Sequence, residues 1–210
     1  MSLAAFPLLI EMTQRSTPAK FSTALRYVSL AVWLAVLLTG VVSYLLYPQT
    51  FTAANIAESL RRFQGEIWLV YLVMSALRGF SLLPSTPLVI AGTLLFPSQP
   101  FAVLVVSLTG ILLSSSMIYF FSEYLGFSDF FERHKPELTL RIKARLEHPA
   151  GFIFIALWAF FPLVPTDLVC YLAGTTKMNC WKFILAVLVG ETVLCCFYIF
   201  FSRAGLGYVR

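Results

Sequence analysis

Three ionisable side chains stand inside long apolar runs of this 210-residue sequence. Arg78 lies in IWLVYLVMSALRGFSLL, Asp167 in FPLVPTDLVCYLAG, and Glu191 near the middle of WKFILAVLVGETVLCCFYIFF. Charge is costly in such surroundings unless it is paired or faces a wet cavity, so these groups are candidates for function. The planar fork of an arginine matches the oxygens of a phosphate, and a carboxylate in an apolar site is suited to taking up and releasing a proton. Arg78, Asp167 and Glu191 are therefore read as substrate-binding or proton-coupling residues, with a purely stabilising Arg78–Asp167 salt bridge as the competing reading. Glu191 shares a helix face with Val187, Leu194, Cys195 and Tyr198, which turns it toward protein rather than lipid. No metal set is visible: Cys170, Cys180, Cys195 and Cys196 show no C-x-x-C spacing, only His134 and His148 offer imidazoles, and the thiols read as buried and inert. No serine, cysteine or histidine has a recognisable catalytic partner set and no glycine-rich loop follows a strand. An enzyme and a bound cofactor are not expected.

The elements that must position these groups belong to a membrane. The chain is 59% hydrophobic and 12% charged, with a mean hydropathy of +0.84, which points to an all-α integral membrane protein of one membrane domain. The net charge of +5 and pI of about 9.1 are better explained by loops on one side of a bilayer than by nucleic-acid binding.

Residues 1–26 read as a loose or interfacial tail, and Tyr27 to Tyr47, 21 residues without a charge, as a transmembrane helix rather than a cleaved signal peptide. Residues 52–64 alternate as an amphipathic helix, at the membrane interface or as a solvated connector. Residues 66–125 form a first unit. Its leading part, Ile67 to Pro97, contains LLPSTPLVIAGTLLFP, which is too apolar for a water-facing loop and too broken for a span. Pro84 and Pro87 remove backbone donors and disfavour helix in the residue before each, while Gly92 permits a turn or close approach. Such a stretch predicts a re-entrant hairpin, since irregular backbone at membrane depth must be buried in protein or line a cavity. Pro100 to Leu125 follows as a span, in which Ser107, Gly110 and the run Ser114 to Ser116 suit close helix packing more than a permeation path. Residues 126–150 read as an extramembrane connector with a helix opened by Pro136 and Glu137. Residues 151–201 form a second unit, a hairpin broken by Pro162, Pro165 and Gly174 and then a span, and 202–210 a short tail.

The two units repeat. Phe120 and Phe121 lie 10 and 11 residues past Gly110, as Phe200 and Phe201 do past Gly190, and both glycines suit helix packing. An odd number of crossings between two such units inverts the second relative to the first, and paired broken segments point to a transporter's binding site. The basic residues agree with this topology. Ten of the 15 lysines and arginines, in the N-terminal tail, in the connector and at Lys177 and Lys182, fall on one side; Arg61, Arg62, Arg203 and Arg210 fall on the other. The N-terminus and connector are therefore expected in the cytoplasm and the C-terminus opposite. The hairpin tips, Pro84 to Gly92 and Pro165 to Gly174, are expected to meet near the midplane.

From about Trp68 to Phe201 the sequence resembles the DedA superfamily, also called the VTT-domain or SNARE-associated Golgi protein family. Arg78, Pro84, Pro87, Gly92 and Phe96 resemble its first motif; Pro162, Pro165, Gly174, Met178, Phe183 and Gly190 resemble its second. The resemblance implies a scramblase or flippase that moves membrane lipids by their phosphate headgroups, including undecaprenyl phosphate in the bacterial inner membrane, with proton coupling in some members. It leaves oligomerisation open. The chain departs from many members in having no acid between Leu82 and Pro97, and Leu157, Trp158 and Ala159 where an arginine is common. A proton-coupled transporter of small solutes or ions and a membrane scaffold remain as alternative functions.

Overall fold

The computed structural model describes residues 23–63, 65–125, 127, 133–162 and 165–208, with side chains from residue 25 to residue 202. The expected tail at 1–22 and the part of the connector at 128–132 lie outside the described residues.

All regular structure among the described residues is helical. In chain order the α-helices are α1 (Thr23–Leu46), α2 (Ala53–Arg61), α3 (Ile67–Leu77), α4 (Thr86–Leu95), α5 (Pro100–Tyr124), α6 (Pro136–Glu147), α7 (Pro149–Phe160), α8 (Thr166–Thr175) and α9 (Cys180–Tyr208). Three stretches are long and apolar enough to cross a membrane: Leu25–Leu46, Pro100–Tyr124 and Cys180–Ser202. The last helix continues to Tyr208, through most of the segment expected as a tail.

The short apolar helices come in pairs. α3 and α4 lie antiparallel: Trp68 at the start of one stacks on Phe96 just past the end of the other, with centroids 3.7 Å apart. Gly92 meets Tyr71 so closely that a Cβ there would fall 2.6 Å from its hydroxyl. At 1.5 Å per residue each arm is about 15–17 Å long, roughly half of a 30 Å hydrocarbon core. The second pair, α7 and α8, is built alike, with Trp158 Nε1 donating to the Pro165 carbonyl at 3.3 Å across its break.

The arms are exchanged between halves. α3 packs on α5 and α7 on α9, each against the span of its own unit, whereas α4 packs on α9 and α8 on α5, the span of the other unit. The two spans run antiparallel, with Phe101 near Phe200 (6.3 Å between centroids) at one end and Tyr119 near Phe183 (5.5 Å) at the other. Helix, break, helix and span thus occur twice, the second time inverted.

Lipid tails are as apolar as leucine, so helix association in a membrane rests on close fit and hydrogen bonds. Gly110 of α5 abuts Ser75 and Leu72 of α3, and Gly190 of α9 abuts Ala156 and Ala159 of α7. Tyr71 and Ser107 share a hydrogen bond of 2.6 Å between α3 and α5. α8 ends in a Schellman motif: Met178 N donates to Ala173 O, Lys177 N donates to Gly174 O, and Lys177 adopts φ 50°. The Met178 carbonyl then accepts from the Tyr119 hydroxyl at 2.6 Å, tying that end of α8 to α5.

Of the outer elements, α1 attaches to this core at few points, whereas α2 packs along α4. α1 has no buried residue in its most apolar window. It meets the fold where Trp33 Nε1 donates to the Tyr171 hydroxyl at 2.7 Å and where Gly40 presses on Ser81. α2, read from sequence as an amphipathic helix at the membrane interface or a solvated connector, buries Ala57 and Leu60 against the first hairpin, where Leu60 clusters with Tyr71 and Leu88. In the connector, α6 carries Glu137 in its first turn and Arg145 in its last, and its C-terminal carbonyls at Glu147 and His148 accept from Lys182 Nζ.

Candidate functional site

Each chain break is written in prolines. After Leu77 the chain tightens into a 3-10 turn at Arg78–Ser81, passes through Leu82 at φ 54°, and resumes as α4 with Pro87 in its first turn, where a missing N–H costs nothing. In the second hairpin α7 stops at Phe160, Phe161 is extended ahead of Pro162, and Pro165 caps α8. Arg78 is thereby left at the turn of one hairpin and Asp167 in the first helical turn of the other.

These turns meet. Arg78 Nη1 donates to Asp167 Oδ2 at 3.3 Å and to the Leu83 carbonyl at 3.1 Å, with Arg78 8% and Asp167 1% exposed. Glu191, fully buried on α9 beside Val187, Leu194 and Cys195, accepts from Thr166 Oγ1 at 2.7 Å. One guanidinium and two carboxyl groups from three separate elements thus converge on residues 166 and 167. Four buried polar atoms there have no hydrogen-bond partner among the described residues: Arg78 Nε, Ser114 Oγ, Asp167 Oδ1 and Glu191 Oε2. Buried polar groups are ordinarily satisfied, so these four atoms have hydrogen-bonding capacity to offer a water or a polar ligand.

Two further features shape the cluster. Gly79 lies so close to Ser114 and Asp167 that a Cβ would stand 2.7 Å from Asp167 Oδ1 and closer still to Ser114 Oγ, so the backbone beside Arg78 can approach the acid only without a side chain. Between the breaks is a cavity of about 30 Å³, lined by Arg78, Pro84, Ser85 and Thr86 from one hairpin and by Pro162, Pro165 and Thr166 from the other. It has room for about a water molecule.

The structure therefore brings Arg78, Asp167 and Glu191 together with Pro84, Pro162 and Pro165. Pro87 starts α4. Gly92, Gly110, Gly174 and Gly190 each sit at a close helix contact, Gly190 immediately before Glu191. The sequence reading passed over Gly79 and Thr166 and assigned Ser114 to helix packing. Gly79 and Thr166 are the immediate neighbours of the two opposite charges, and that adjacency is the signal that could have found them. Among the described residues no group of three or more His, Cys, Asp or Glu is placed to hold a metal ion, and all four cysteines are free thiols.

Chemically, the site can hold an anion at a fork of donors, exchange one carboxylate for another oxyanion on the same arginine, or pass a proton between carboxyl groups.

A family model described as the VTT domain matches residues 83–204. It takes in Asp167, Glu191, both spans and the second hairpin. No curated protein and no solved structure matches the chain. With more than half its length in that match and three helices able to cross a bilayer, the chain is an integral membrane protein belonging to the VTT-domain family, the DedA or SNARE-associated Golgi protein family.

Proposed function

We propose that this protein is a transporter of membrane lipids, in which Arg78 receives the phosphate of a headgroup while Asp167 is its counter-ion at rest. One observation carries the reading: the Arg78–Asp167 pair joins the breaks of two hairpins, each only about half a bilayer long, amid buried polar atoms without hydrogen-bond partners among the described residues. A headgroup entering from either leaflet would meet the polar end of a half-length arm rather than a full apolar barrier. A phosphate can displace Asp167 because it offers the guanidinium the same geometry with more oxygens. The distribution of lysine and arginine supports a cytoplasmic N-terminus and connector with the C-terminus opposite, and the family resemblance supports the bacterial inner membrane.

The test is lipid flipping by the purified protein in liposomes, without any ion gradient. Arg78→Ala should nearly abolish flipping, and Arg78→Lys should impair it because a point charge replaces a fork. Removing either partner alone should also cost about 3–5 kcal/mol of stability, since the other charge is left buried. The double change Arg78→Leu with Asp167→Leu should recover stability and stay inactive. Recovery of flipping in the double variant would make the pair structural, and a stable, fully active Arg78→Ala protein would end both readings.

A second reading, proton-coupled transport of a small solute or ion, is favoured by the two carboxyl groups against one guanidinium and by a cavity of only about 30 Å³. Uptake that collapses with the proton gradient, with no lipid flipping, would select it.

A further inference from the structure

Arg78 and Pro84 also line a second, larger space. This cleft, of about 210 Å³, lies between the first hairpin, α2, the 3-10 turn Pro48–Phe51 and the end of α1. Tyr44, Phe51, Ile56, Met74 and Leu88 surround it, and Arg78 is the one charged residue in its lining. Tyr44 and Phe51 pack ring against ring at 5.5 Å, joining α1 to the turn that follows it. Arg78 is thus common to a small polar cavity between the hairpin breaks and an apolar cleft walled by the peripheral helices.

We infer that the cleft holds one alkyl chain of the phosphate-bearing lipid whose headgroup Arg78 receives. The inference rests on the function proposed above and gives the substrate a second recognition element. Three observations point to this occupant. The lining suits hydrocarbon. The volume falls below the roughly 300–1,000 Å³ of sites that enclose a whole small molecule, which fits a linear segment rather than a compact solute. The cleft's one charged residue is a buried arginine whose Nε is unpaired among the described residues, which complements an anionic group joined to that segment. On this geometry a lipid lies with its phosphate at the tips of the hairpins and one tail beneath α1 and α2, and a water-soluble glycerol phosphate lacks half of the binding determinant.

The test uses the full chain in vesicles of phosphatidylcholine and phosphatidylglycerol, the latter carrying a diazirine halfway along one acyl chain. Photolysis and peptide mapping should concentrate adducts on Tyr44, Ile56 and Met74. Met74→Trp, which narrows the cleft, should lower both adduct yield and flip rate by about tenfold without lowering the melting temperature. Val193→Trp, on an exposed face of α9, should change neither. Adducts spread evenly over lipid-facing side chains, or wild-type flipping by a folded Met74→Trp protein, would overturn the inference while leaving the transport reading intact. Cleft adducts in a wild-type protein that flips nothing would uphold the cleft and remove the transport reading. In a separate arm inorganic phosphate is added to the protein in detergent. A melting shift that depends on Arg78, combined with no cleft adducts from the lipid, would assign the arginine to free phosphate and also overturn the inference.

Discussion

Gly110 and Gly190 stand at matching places in the two repeats, and an added methyl group should be costly at both but open to rescue only at Gly110. In Gly190→Ala the new Cβ would run into the Ala156 carbonyl oxygen and stand 2.8 Å from Ala159 Cβ. Restoring an ordinary carbon separation of roughly 3.5 Å from Ala159 Cβ requires α7 and α9 to part by at least about 0.7 Å, the Ala156 oxygen asking for more, and a gap of that order forfeits a quarter to a half of each van der Waals contact it opens. The pair is the most extensively packed in the fold, so the loss belongs near the top of the usual overpacking range, about 3 kcal/mol. For a chain of this size that is a fall in Tm of roughly 6–12 °C. In Gly110→Ala the obstacle is the Ser75 side chain, with the Leu72 carbonyl at an ordinary 3.4 Å. Adding Ser75→Gly removes it at a helix-propensity cost of about 0.5 kcal/mol, so the double variant should recover most of the lost stability. Adding Ala159→Gly to Gly190→Ala should recover little, because the backbone oxygen of Ala156 stays in place. Melting of the detergent-solubilised variants, followed by size-exclusion chromatography, compares the four. A Gly190→Ala protein that melts within about 2 °C of wild type, or one that Ala159→Gly rescues fully, would refute the packing argument.

Three other outcomes follow from the packing and hydrogen bonds of the fold. Tyr119→Phe leaves the Met178 carbonyl without its hydroxyl donor and should destabilise by about 1–3 kcal/mol, read as a lower melting temperature with an unchanged helical circular-dichroism spectrum. Lys177→Gly relieves a left-handed residue at the end of α8 and should stabilise by about 1 kcal/mol; an unchanged or lower melting temperature would contradict this. In a cysteine-free background, single cysteines at Leu140 and Ser59 should react with an impermeant reagent from opposite faces of the membrane, and labelling of both from one face would end the proposed topology.

The spans were legible because length and hydrophobicity alone define them. The sequence places one from Pro100 to Leu125, and α5 runs from Pro100 to Tyr124. The breaks were legible because proline cannot sit inside a helix without consequence. What the pattern could not reveal is which arm packs on which span. In a soluble protein a helix signals its buried face by polarity, but on α5 the buried Ile111 and the exposed Leu113 are equally apolar, since lipid and protein interior ask for the same side chains. The exchange of arms between halves was therefore invisible. The charges stood out because they are costly where they are. The hydroxyls did not, because a serine can satisfy itself on its own helix, as Ser116 does on the Leu112 carbonyl at 2.7 Å. Nothing in the spelling of Ser114 to Ser116 distinguishes that serine from Ser114, which has no hydrogen-bond partner among the described residues and lies beside the ion pair.

The ion pair that closes the two hairpins has partners 89 residues apart. At 5–20 residues per second the ribosome separates the emergence of Arg78 from that of Asp167 by roughly 4–18 s. Throughout that interval the first hairpin lacks its counter-ion and the α9 surface against which its returning arm packs. It cannot mature as a unit in the order in which it is made. A lone arginine is costly at membrane depth, so burial of the first hairpin's turn is favoured only once Asp167 and the last helix have been made. Nascent chains truncated before Asp167 should accordingly be substrates for membrane quality control, however apolar their helices.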